Sequence, residues 1–137
     1  MHVAEKVGMT VQLNTDFETS LKMVTEALKS EGFGILTEID VKETLKQKLG
    51  VEFQPYRILG ACNPPLAHRA LIATSEAGLL LPCNVTVAHI EDNLTEVSII
   101  NPDVMMSVAD APGLAPVAAE AKEKLDRVVA TLEEGIV

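Results

Sequence analysis

Two Cys-Asn dipeptides stand beside prolines in this chain: Cys62-Asn63 precedes Pro64-Pro65, and Cys83-Asn84 follows Pro82. Asn63 followed by Pro64 reads as the cap and first residue of a helix. A carboxamide oxygen accepts an early backbone N–H, and proline's fixed φ and missing N–H suit the first turn. Cys62 then lies just ahead of a helix N-terminus, where orphan N–H groups and the helix dipole favour a thiolate. It is the candidate nucleophile or redox thiol. The commoner role of a free cysteine is a small core hydrophobe, and alternation puts Cys83 on a core face with Leu79, Leu81, Val85 and Val87.

The same helix start is a candidate anion site. Pro64 and Pro65 contribute no N–H, so its donors begin at Leu66, with Asn63 at the cap. If the third and fourth strands are neighbours, Asn84 adds an amide and Arg57 a fixed positive charge, and a small anionic ligand is the expected guest. The plainer reading leaves Asn63 capping its helix and Asn84 satisfying a turn. Cys62 and Cys83 are each followed six residues later by a histidine, His68 and His89. Six strand residues span on the order of 20 Å and five helical steps roughly 8 Å, so neither pair chelates one ion alone. No CxxC, HxxxH, HExxH, GxGxxG, GxxxxGK[ST] or GxSxG occurs, and neither a metal nor a cofactor is expected.

Composition bounds the class. Within 137 residues, 47% are hydrophobic and 23% charged, the balance of one globular domain with its own core. Twenty acidic residues against 11 Lys and Arg give a net charge of −9, which argues against nucleic acid or an anionic membrane as partner. The longest apolar stretch, Gly78 to Ile90, is interrupted by Pro82 and Asn84 and falls short of the ~20 residues of a membrane span. Met1 to Thr10 lacks an apolar leader segment, and two cysteines make no disulfide framework, so a cytoplasmic location is expected.

The elements that position these groups follow from periodicity. Thr10–Asn14 alternates as a strand, and Thr15 with Glu18 forms a capping box before a helix bearing Phe17, Leu21, Val24 and Leu28, which Gly32 ends. Gly34–Ile39 is a second strand. Asp40 with Glu43 opens a second helix whose Val41, Leu45 and Leu49 should face inward. Tyr56–Cys62 is the third strand, and the third helix runs from Pro64 to about Ala77, apolar over a wide arc and closed by Gly78. Leu79–Ile90 and Glu96–Asn101 form a hairpin about Glu91–Thr95. Asn101–Pro116 reads as a long ordered loop or a lid, with a helical turn through Met105 and Met106, and Pro116 begins a last helix with the stripe Val117, Ala121, Leu125, Val128 and Leu132.

These elements predict an α+β domain: five mainly antiparallel strands with four main helices on one face. The other face, carrying Asn84, Thr86 and Ala88 with Gln12, Glu38, Arg57, Glu96 and Ser98, reads as solvated surface, dimer interface or ligand floor.

The segments GACNPP at 60–65 and LLLPCNV at 79–85, followed by Asn101-Pro102-Asp103, resemble the bacterial and archaeal domain-of-unknown-function family numbered 302, over about Thr10–Leu132. The resemblance implies a compact α+β domain laid out like the saddle of TATA-binding-protein-like folds, and commonly a homodimer. It implies no activity. The expected function is therefore a non-enzymatic ligand-binding or interaction module, homodimeric; the alternative is a thiol-dependent enzyme or redox sensor using Cys62.

Overall fold

The computed structural model describes residues 7–108 and 111–135. Five strands, β1 (Gly8–Leu13), β2 (Gly34–Asp40), β3 (Tyr56–Cys62), β4 (Cys83–Glu91) and β5 (Leu94–Ile100), form one sheet in the order β1-β5-β4-β3-β2. Every neighbouring pair is antiparallel. The helices are α1 (Phe17–Ser30), α2 (Val41–Leu49), α3 (Pro64–Ala73), α4 (Pro102–Met106) and α5 (Leu114–Glu134). The architecture is the expected α+β one, a five-stranded antiparallel sheet with helices packed on it. No described helix is long and apolar enough to cross a membrane.

Alternation divides the sheet. Val11, Leu13, Leu59, Ala61, Val85, Val87, Val97 and Ile99 point into the core. There they meet Val24, Ala27 and Leu28 of α1 and Leu125, Val128 and Leu132 of α5, all buried. Burial of this apolar area is what holds the layers together. Helices α1 and α5 pack on each other and across β1, β4 and β5, and α3 packs on α5.

Local chemistry explains the boundaries. The Asp16 carboxylate, rather than Thr15, caps α1 by accepting the Thr19 N–H at 2.7 Å, and that bond holds the carboxyl below its usual pKa. Thr15 instead tethers the hairpin end: its carbonyl accepts the buried Thr95 hydroxyl at 2.9 Å. Helix α1 ends where the Gly32 N–H reaches Lys29 O and the Phe33 N–H reaches Leu28 O, with Gly32 at φ +84°. The cap of α2 is Asp40 as expected, accepting from the Glu43 N–H at 3.0 Å.

Several expectations are corrected. No residue of α2 is fully buried, and Leu49 is 68% exposed, because α2 flanks only β2 and β3 with no further layer to close its stripe. Helix α3 stops at Ala73: Thr74 turns extended, and its hydroxyl caps a separate 3-10 turn over Ser75–Leu80. Leu66 and Ala70 are its buried residues, so its wide apolar arc is covered on one side only. Leu79 belongs to the 3-10 turn, 82% exposed, and β4 begins at Cys83. The hairpin is tighter than expected, with Glu91 paired to Leu94 and Asn93 at φ 58°. Helix α5 begins two residues before Pro116. In the expected lid, the turn through Met105 exists as α4, capped by Asn101 accepting the Asp103 N–H at 3.0 Å. Residues 109–110, the Met106 side chain and residues 1–6 of the amino-terminal reading lie outside the described residues.

Candidate functional site

Strand β3 is as read from the sequence, and Asn63 caps α3 as expected. The Asn63 Oδ1 accepts the Leu66 N–H at 3.3 Å, and its carbonyl accepts the Ala67 N–H at 2.9 Å. Its Nδ2 donates across the chain to the Glu31 carbonyl at 3.3 Å, tying the start of α3 to the end of α1. Gly32 permits this approach, since a Cβ there would stand 3.0 Å from Asn63 Nδ2. With Pro64 and Pro65 lacking N–H groups, every early donor of α3 is absent or engaged.

An anion, or a Cys62 thiolate, finds no free helix N–H here. Arg57 lies at the opposite end of β3, roughly 20 Å along the strand from Asn63. It shares the parity of Leu59 and Ala61 and so sits on the helix-covered side, not with Asn84. There its guanidinium pairs with Glu38 at 2.6 Å and Asp40 at 3.5 Å and lies 5.9 Å from the Phe17 ring centre. Glu38 reaches that side because a bulge between Ile35 and Thr37 shifts the alternation of β2. Asn84 is exposed on the uncovered side, opposite Gly60. The structure gathers Cys62 and Asn63 and leaves Arg57 and Asn84 apart from them.

What the structure places beside Cys62 and Asn63 is a small apolar cleft of about 40 Å³. Ala61, Cys62 and Cys83 form its strand wall, and Ala67 and Ala70 of α3 face Ala118 and Ala121 of α5. Pro102 and Met105 of α4 close it. Both cysteines are free; burial, with a smaller contribution from Cys62, pushes the Cys83 thiol up to about 11, so it stays neutral near pH 7. Among the described residues no three His, Cys, Asp or Glu side chains converge as metal ligands. Sequence reasoning missed the cleft.

The second feature is the uncovered sheet face. Across β1, β5, β4 and β3 it carries Thr10, Gln12, Glu96, Ser98, Thr86, Ala88 and Ile58, on registers that stack Thr10 on Ser98 and Ser98 on Thr86. The Thr10 and Ser98 hydroxyls are 2.9 Å apart. Away from the hairpin, Glu96 is the one charged residue on this face among the described residues. At its β3 end the Phe53 ring meets the Tyr56 ring edge-on, centres 6.1 Å apart.

No curated protein matches this chain. Among solved structures, the crystal structure of an uncharacterized conserved protein DUF302 from Bacillus stearothermophilus is similar. It is 30% identical, the match covers 93% of this chain and 99% of that one, and the TM-score is 0.83. The family model "Domain of unknown function DUF302" matches residues 9–132, from β1 almost to the end of α5. The chain therefore belongs to the DUF302 family.

Proposed function

We propose that this domain is a non-catalytic interaction module that pairs with a second copy through the uncovered face of its sheet. The observation that carries the reading is the near absence of charge on that face in a chain of net charge −9. Two copies so acidic repel one another over most of their surface. A face of hydroxyls, Ile58 and Tyr56 is where they meet at least cost, since interface cores are depleted of charge. Five strands of about seven residues make a face of roughly 25 by 25 Å. Stable interfaces bury ~800 Å² per partner, so the rim residues Phe53 and Ile90, 37% and 46% exposed, are needed as well. Pairing should accordingly be concentration-dependent.

The alternative, a reactive Cys62, has less support: the helix start beside it offers no free donor, and Cys83 is held neutral by burial. Sedimentation across a wide concentration range tests the proposal. Wild type should move from one-chain to two-chain mass, and Thr86→Arg, placing a charge between Ile58 and Ser98, should stay at one-chain mass with its melting temperature little changed. One-chain mass for wild type at every concentration rules the pairing out.

A further inference from the structure

The apolar cleft has a definite origin. Where α3 meets α5 the wall includes Ala67 and Ala70 facing Ala118 and Ala121, beside Leu66 and Val117, and the alanines are too small to fill the gap between the two helix backbones. An unfilled apolar void forfeits dispersion contacts, which a small apolar occupant would restore. Water is a poor occupant. A buried water needs two to four polar partners, and the one amide side chain in the wall among the described residues, Asn63, is already bonded to Leu66 and Glu31. No buried side-chain N or O among the described residues is left unpaired. Among the described residues the other side chains lining the cleft are apolar but for two thiols, of which Cys83 is held protonated by burial, and none is cationic. Met105, on the five-residue α4, closes it with a flexible, polarisable side chain able to shift aside.

We propose that this cleft binds a neutral aliphatic ligand, whose chain end enters beneath Met105 between the alanines of α3 and α5. Size excludes a ring: an apolar cavity of ~150 Å³ admits benzene, and the 40 Å³ here is about a quarter of that. A polar headgroup stays at the mouth. An anionic one gains little: Arg57 stands at the far end of β3 in ion pairs with Glu38 and Asp40, and Arg69, bridging α3 to α5, is paired with Glu120.

The test is an NMR titration of the wild-type chain with 1-hexanol and, at equal concentrations, with hexanoate. Hexanol should give saturable shifts confined to the amides of Ala67, Ala70, Cys83 and Ala118. Hexanoate should bind at least about tenfold more weakly, since the cleft has no partner for its charge. Ala118→Leu, which fills the gap from a buried position, should abolish the hexanol shifts while leaving the melting temperature unchanged or raised. If that variant does not fold, Ala67→Leu makes the same test from the half-buried side. Hexanoate binding as well as hexanol overturns the proposal. So do shifts that persist in the filled variant, or that never saturate.

Discussion

The two sides of the sheet are made by the same strands and differ in what alternate residues meet. On β5, Val97 and Ile99 point under α1 and α5 and are wholly buried, while Glu96 and Ser98 point the other way and stay half-exposed. An ordinary solvated face carries charges, as the outer side of α5 does with Lys122, Asp126 and Arg127. The uncovered sheet face has hydroxyls, amides and aliphatic groups instead. A strand's second face can therefore be shaped as strongly as its core face, for association rather than stability.

The sharpest way to break this contrast is to truncate neighbouring residues on β5. Ile99→Ala should cost about 2–5 kcal/mol in urea unfolding, and Ser98→Ala, which gives up only the exposed Thr10 bond, should change monomer stability by under about 0.5 kcal/mol. Comparable costs would mean that the two faces are not distinct.

Cys83 extends the covered face to the start of β4, and its test is pH. Its thiol pKa is raised from 9.0 to about 11 in the fold, so its contribution is fully present below pH 9 and is lost as pH rises through 11. Two pH units correspond to about 3 kcal/mol. The stability gap between wild type and Cys83→Ala should narrow by about 2 kcal/mol of that between pH 9 and 11. A constant gap would show that the thiol is not buried.

Much of the covered face was legible in the sequence. Asn63-Pro64-Pro65 marks the end of β3 and the start of α3 to the residue, and the stripe of α5 is buried as its spacing implies. What failed did so where tertiary context overrides periodicity. Leu49 and Leu79 sit in apolar patterns that no neighbouring element covers. The α3 pattern continues past Ala73, but Thr74 turns extended there. The bulge at Leu36 moves Glu38 to the other face, and no residue type announces it. Arg57 is different, because its parity with Leu59 and Ala61 already placed it on the helix-covered side, at a strand end where it reaches carboxylate partners. The cleft lay beyond reading, since alanines mark close packing as often as a gap.

Smaller effects refine the boundary between the faces. Gly60 points to the uncovered side, yet a Cβ there would overlap Thr37 Oγ1 and stand 2.7 Å from Pro82 Cγ. Gly60→Ala should cost about 1–3 kcal/mol, against near zero if that edge is open. Asn63→Ala removes the α3 cap and the link to Glu31 and should lower stability by ~1 kcal/mol. Under an anion-site reading it would instead weaken the stabilisation that phosphate confers, and wild type and variant responding equally to phosphate counts against that reading.

The pairing face itself is tested most directly by isotope-filtered NMR on a mixture of labelled and unlabelled chains at millimolar concentration. Pairing through that face predicts intermolecular contacts from the methyl groups of Ile58 and Thr86. Contacts confined to Leu71, Ile72 and Leu79, the exposed aliphatic residues of α3 and the turn after it, or no intermolecular contacts at all, would contradict it.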